Sequence, residues 1–176
     1  NKCGSEIGYN ITISADTPSL SNKVISEKVK TSYNECKSSE NNIKINYPST
    51  WTKTFDNSKP PVRAIIFMPP KGDPANLVIT VDDSVGNITL DANNENFISA
   101  MRKGLPDFKL IESTPSTLSG FAAHQLILSE RKTKRLIVST IKNNVLYSIM
   151  YVADHDIYFR HLSVAKQMIS SFEILN

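Results

Sequence analysis

Apolar and polar positions change rhythm several times along this chain, and the changes mark its elements. Ile43, Ile45 and Tyr47 alternate with Lys44 and Asn46, the period of a strand with one buried face. Pro48 ends that run, because proline has no N–H to give to a ladder. Val62–Met68 and Leu77–Val81 are two further apolar runs, separated by Pro69-Pro70 and the polar break Lys71-Gly72-Asp73-Pro74. Over Asp91–Gly104 the period lengthens. Phe97, Ile98, Met101 and Leu105 share one helical face, with Asp91 a candidate cap and Gly104 a stop. Phe108–Ile111 reads as a short strand. Phe121–Glu130, Arg135–Ile141 and Val145–Val152 read as long ones, joined by the run Arg131-Lys132-Thr133-Lys134-Arg135 and by Lys142-Asn143-Asn144. Links this short and polar make antiparallel hairpins. Helical spacing returns over Ile157–Phe172 through Phe159, Leu162, Ala165, Met168, Ile169 and Phe172, and Phe172-Glu173-Ile174 is a candidate last strand.

The first 42 residues read differently, being rich in Ser, Asn, Thr and Lys. Leu20, Val24, Ile25, Val29 and Tyr33 recur at roughly helical spacing, so one helix is expected over Ser19–Cys36, started by Asp16-Thr17-Pro18. Lys37–Asn42 reads as a linker. The expected organisation is an N-terminal extension, 1–42, and a main domain, 43–176. Strands, helix, strands, helix is the order of an α+β domain, a central antiparallel β-sheet flanked by helices. No internal repeat is visible.

Composition changes this picture little. The chain has 176 residues, enough for one domain with a core that needs no metal or disulfide staple. Apolar residues make up 40% and charged residues 21%, as in a globular protein. The net charge of +3 is too small to argue for nucleic acid. The densest basic run, Arg131 to Arg135, reads as a solvated hairpin tip, and Arg131, Lys132, Lys134 and Arg135 are the candidates for steering an acidic protein partner. No stretch approaches the roughly 18 apolar residues of a membrane span, so direct membrane insertion is not expected.

Cys3 and Cys36 are the two cysteines. A bridge between them would tie down the polar N-terminal region and contribute about 3–4 kcal/mol; the alternative is two unrelated thiols. Asn10-Ile11-Thr12 and Asn87-Ile88-Thr89 are glycosylation sequons. Together these lean towards an extracytoplasmic address, secreted or at the cell surface, and no apolar signal segment is visible in the given residues.

Several stretches resemble the PsbP-like family, in the family's order. "IKINYPSTW" (Ile43–Trp51) resembles its opening, where a strand ends in Tyr-Pro and a Trp follows. "NLVITVDD" (Asn76–Asp83) resembles its second core hairpin. "FKLIESTPSTLSGFAAHQLIL" (Phe108–Leu128) resembles its strand, Ser/Thr-rich link and glycine turn. "KNNVLYSIMYVADHDIYFRHLSVAKQMISSFEI" (Lys142–Ile174) resembles its last hairpin and helix. The resemblance implies a PsbP-like α/β/α sandwich over about 43–174. Members of that family include extrinsic photosystem II subunits, exported bacterial and archaeal proteins and a Ran-binding import factor, mostly non-catalytic. Fold is therefore implied far better than function. In this frame Pro48 turns the chain and Trp51 folds back as a buried anchor, the alternative being an exposed stacking platform.

Candidate chemistry is sparse. Asp154, His155, Asp156 and His161 form the densest set of metal-ligand types, suited to zinc or a similar ion, and some PsbP proteins bind divalent ions through His and Asp. Asp154 or Asp156 is equally a candidate helix cap. His124 shares a strand face with Leu126 and Leu128, which reads as a satisfied, partly buried histidine. Asp82-Asp83 could hold calcium but reads first as a turn, since no EF-hand spacing is present. No nucleophile elbow, His-Glu-x-x-His, P-loop or dinucleotide motif occurs, and no enzyme is expected. Three readings stay open. The first is a non-catalytic accessory or protein-binding domain, docking through a sheet edge or the loops at Pro60-Pro61 and Pro69-Pro70. The second binds a small ligand or a divalent metal such as zinc or calcium between sheet and helix. The third is an unrecognised hydrolase, which a serine within hydrogen-bond reach of a histidine would favour.

Overall fold

The computed structural model describes residues 31–56, 60–70 and 72–175. The described elements are β1 (Tyr33–Ser38), β2 (Ile43–Pro48), β3 (Thr52–Asp56), β4 (Val62–Met68), β5 (Ala75–Asp82), α1 (Leu90–Gly104), β6 (Lys109–Leu118), β7 (Phe121–Glu130), β8 (Thr133–Lys142), β9 (Val145–Asp154), α2 (Tyr158–Ser170) and β10 (Glu173–Ile174). One antiparallel sheet of seven strands has the order β3-β4-β5-β9-β8-β7-β6; β1, β2 and β10 form a second, of three. This is the α+β architecture that the alternation of periods predicts. No helix among the described residues is long and apolar enough to cross a membrane.

Turn chemistry builds the large sheet. Asn143 (φ 52°) and Asn144 (φ 62°) close β8 on β9, and Ser119 (φ 54°) with Gly120 (φ 79°) closes β6 on β7. Two consecutive left-handed residues make the tight turn whose twist matches the flanking strands, and Asn and Gly tolerate that backbone best. Ser119 Oγ also accepts the Ile174 N–H at 2.8 Å, so this turn holds β10 in place.

Alternation then sorts side chains onto two faces. On β8, Leu136 and Val138 join Tyr147, Ile149 and Tyr151 of β9 in the main core, together with Ala165 and Met168 of α2. Ile137, between them in sequence, joins Leu126 and Leu128 of β7 against Phe97 and Ile98 of α1. The two helices therefore cover opposite faces. The small sheet lies on the α2 side, where Ile43, Ile45 and Cys36 reach the main core.

The structure corrects several boundaries. Tyr33–Cys36, expected at the end of a helix, is strand: β1 pairs with β2, with Cys36 opposite Ile45. Pairing satisfies one edge of β2 and buries Cys36 completely, which a helix ending there would not do. Lys37–Asn42 is the end of β1 and its turn, so a boundary at Ile43 falls inside a hairpin. The rest of the expected helix, 19–30, lies outside the described residues. β3 was not anticipated, and β6 runs through the Ser/Thr-rich link to Leu118. Both are edge strands of the large sheet, and every second residue of β6 up to Thr117 faces water, so neither carries a full apolar pattern. Pro115 is tolerated for the same reason, since an edge strand has a free side for a missing N–H. Thr89, not Asp91, caps α1, its Oγ1 accepting the Ala92 N–H at 3.2 Å. α2 starts after Ile157 without a side-chain cap, so neither Asp154 nor Asp156 has that role.

Candidate functional site

His161, on α2, places its Nε2 2.7 Å from Asp73 Oδ2 in the β4–β5 loop, and Arg160 pairs with the other oxygen of the same carboxylate. The His161 hydrogen bond and the Arg160 charge hold the Asp73 carboxyl below its ordinary range, against the opposing effect of partial burial. The Trp51 indole meets the His161 ring edge-on, with centroids 5.7 Å apart, and is 5% exposed. Trp51 is thus a buried anchor, and His161 and Asp73 form the strap that holds loop, helix and indole together. His155 is turned elsewhere: its Nε2 lies 3.1 Å from Ser129 Oγ and 3.0 Å from the Thr133 carbonyl. Neighbours in sequence, Asp154, His155, Asp156 and His161 do not converge. Among the described residues no three His, Cys, Asp or Glu side chains form a group that could hold a metal. Asp73 is the partner that sequence spacing did not reveal; its only signal was the polar break around Gly72. Asp82 and Asp83 are also engaged locally. Asp82 Oδ1 accepts from the Ser84 N–H at 2.8 Å, and Asp83 pairs with Arg63 at 2.7 Å.

The basic run divides by alternation. Arg131 and Lys132 are exposed at the β7–β8 turn, Arg131 lying 3.8 Å from Asp107. Lys134 Nζ stands over the rings of Tyr158 and Phe159 at 4.9 and 5.1 Å. Phe159, expected on the apolar face of α2, is 73% exposed. Arg135 points to the other face and pairs with Glu130 at 2.8 Å, both side chains being mostly buried. Arg135 therefore leaves the predicted set, and Phe159 enters it. Asn87 is exposed, and its side-chain oxygen accepts from Asn144; the Thr89 of its sequon is the α1 cap. Asn10 and Cys3 lie outside the described residues. No cysteine among the described residues is free.

Under α1 the sheet carries a polar row. Thr80, Ser148, Ser139 and His124 stand directly opposite one another across β5, β9, β8 and β7. The next row is apolar: Val78, Met150, Ile137, Leu126. Between these rows and α1 lies a cavity of about 280 Å3, lined by Asn94, Phe97, Arg135, Ile137, Ser148 and Met150 among others. Asn94 is 5% exposed. Its Nδ2 and the Nε of Arg135 are buried without a hydrogen-bond partner. His124 is satisfied, as its position beside Leu126 suggested, with Nε2 2.8 Å from Ser113 Oγ. Asp91 Oδ1 lies 4.0 Å from His124 Nδ1, too far for a hydrogen bond, and its side chain is 88% exposed. An open groove of about 640 Å3 lies on the other face, between the Ser119-Gly120 turn and the end of α2.

Comparison with known proteins places the fold. No family model matches the sequence, and no curated protein does either. Solved structures do match. The PsbP protein of Synechocystis, CyanoP, superposes with a TM-score of 0.63 at 15% identity, over 84% of this chain and 95% of that one. The Ran-binding protein Mog1p of Saccharomyces cerevisiae gives 0.57 at 7% identity, over 84% and 97%. LpqN of Mycobacterium tuberculosis, involved in cell envelope biogenesis, gives 0.54 at 20%, over 76% and 83%. The chain therefore has the PsbP-like fold, as the motifs beginning with "IKINYPSTW" implied. At such identities the likeness concerns the fold.

Proposed function

We propose that this protein is a non-catalytic, extracytoplasmic PsbP-like domain that binds an acidic protein surface through the patch at the β7–β8 turn. Phe159 carries the reading: it is 73% exposed, immediately after a fully buried Tyr158, and has Lys134 over its ring. An exposed aromatic among cations is a common interface anchor, with the surrounding charges steering the encounter. Arg131 and Lys132 extend the positive character of the patch. Two proteins of the same fold fit this reading by name, one Ran-binding and one involved in cell envelope biogenesis. A Cys3–Cys36 bridge and a surface sequon at Asn87 belong to the same proposal, supported by the burial of Cys36 and the exposure of Asn87. The test is crosslinked capture from source cells, comparing the parent chain with Phe159→Ser and Lys134→Glu. A specific acidic partner should be captured by the parent, lost in both variants and weakened by salt. Equal capture by all three would reject the patch.

A second reading, a hydrolase, is favoured by one observation, the 2.8 Å contact between Ser113 Oγ and His124 Nε2. The 4.0 Å gap from His124 to an exposed Asp91 weighs against it, because nothing then orients the imidazole as a base. Ester turnover that disappears in both Ser113→Ala and His124→Ala would replace the first reading.

A further inference from the structure

The cavity under α1 lies outside the basic turn, and its lining selects one kind of ligand. Its floor is apolar, with Leu126, Ile137 and Met150 from the sheet and Phe97 from the helix. At about 280 Å3 it has room for on the order of nine water-sized units of about 30 Å3 each, enough for a compact organic molecule. Two residues that line this space, Asn94 and Arg135, each carry a buried polar atom without a hydrogen-bond partner, Nδ2 and Nε. Both are donors. Asn94 is 5% exposed, so its amide is shut off from bulk water, and a buried donor left unpaired destabilises the fold. Folded proteins keep few such groups, and two of them on residues around one cavity call for acceptors there. Arg135 adds positive charge, of which Glu130 holds one side, Nη2, at 2.8 Å. The hydroxyls of Thr80, Ser139 and Ser148 can turn to give or accept at the same wall.

We infer that this cavity binds a small hydrophobic carboxylate. The ligand's oxygens accept from Asn94 Nδ2 and the Arg135 guanidinium, and a short aromatic or branched body rests on Leu126, Ile137, Met150 and Phe97. A neutral amide of the same shape offers one acceptor oxygen, where the two donors of Asn94 and Arg135 ask for two. The site is independent of the proposed docking patch: Lys134, in that patch, and Arg135, in the cavity, are adjacent on β8 and point to opposite faces.

The test is an amide-resolved NMR titration of the full chain with phenylacetate, isovalerate and the neutral isostere phenylacetamide. Phenylacetate or isovalerate should give saturable shifts at Asn94, Phe97, Ile137 and Ser148, including the Asn94 side-chain amide. Phenylacetamide should bind at least tenfold more weakly than phenylacetate. Asn94→Leu and Arg135→Met should each weaken the carboxylate tenfold or more, Ser148→Leu should abolish binding by filling the space, and Lys166→Ala, in the groove on the other face, should change nothing. The absence of saturable shifts with both carboxylates would mean that the cavity holds only water and would overturn the assignment. Equal binding of phenylacetamide, or full affinity in Asn94→Leu and Arg135→Met, would overturn it too. Should Arg135→Met fail to fold, the parent chain's preference between phenylacetate and phenylacetamide decides the matter.

Discussion

The two faces of the large sheet are built to different standards. The α2 face is sealed by a helix and a second sheet, and its buried polar groups are mostly answered within the protein. Thr140 is fully buried and donates to the Ala122 carbonyl at 2.7 Å, and the Tyr151 hydroxyl donates to the Tyr158 carbonyl at 2.9 Å. Burial raises both tyrosines, Tyr158 to about 12, so both are neutral at any physiological pH. The α1 face is covered by one helix, has a small apolar cluster, and carries a row of hydroxyls and a histidine across four strands. Asn76 Oδ1, Asn94 Nδ2 and Arg135 Nε, three of the four orphaned buried atoms among the described residues, belong to this face; only the Tyr158 hydroxyl belongs to the other. One face is made for stability. The other gives up stability for space and unpaired donors, the usual signature of a site.

The largest test of that contrast is a truncation. Phe67→Ala on the fully buried α2 face should cost about 3–5 kcal/mol in urea unfolding, as large core deletions do. A cost under about 1 kcal/mol would mean that the face is not the stabilising core. Next comes Cys36, on the same side. Mild reduction should lower stability by about 3–4 kcal/mol if Cys36 is bridged to Cys3, and Cys3→Ser should reproduce the loss. Asn94→Leu should go the other way. Replacing an orphaned amide with an apolar group of similar size should leave the protein as stable or raise its stability by about 1 kcal/mol. Strong destabilisation there would show that the amide has a structural partner and would remove the distinction between the faces.

The smallest effect is electrostatic. Asp73 is held below its ordinary carboxylate range by His161 and Arg160. A carboxylate depressed by folding stabilises above its unfolded pKa of about 3.9, and that contribution is lost as pH falls through the lower folded value. Acid titration followed by Trp51 fluorescence should therefore show a steeper loss in the parent chain than in Asp73→Asn, with the two curves parallel above about pH 5. EDTA should leave the melting temperature unchanged, because His161 and His155 are engaged by Asp73 and by Ser129 with Thr133. A fall with EDTA, restored by zinc, would return the metal reading.

Much of this was legible in the sequence, and what was not shares a cause. The hairpins from Phe121 to Asp154 and both helices follow from local period and turn residues: alternation sets the face, and Asn143-Asn144 sets the turn. The His124 reading succeeded because its strand neighbours Leu126 and Leu128 already named its face. The metal reading did not, because closeness along the chain does not make side chains converge. His161 found its carboxylate in Asp73, 88 residues earlier. Strand β1 was hidden for a related reason, since a polar edge strand is defined by the partner that accepts its hydrogen bonds, not by its own pattern.

The linear order of residues determined the α+β class, the helix and hairpin positions, and which side chains share a face. Those depend on interactions within a few residues, whose energies a short stretch already contains. Only the folded chain decided that Phe159 stands in water, and that Asn94 and Arg135, each with a buried unpaired donor, line one cavity. Those depend on surfaces brought together from distant segments, where burial turns an ordinary amide into an unmet demand.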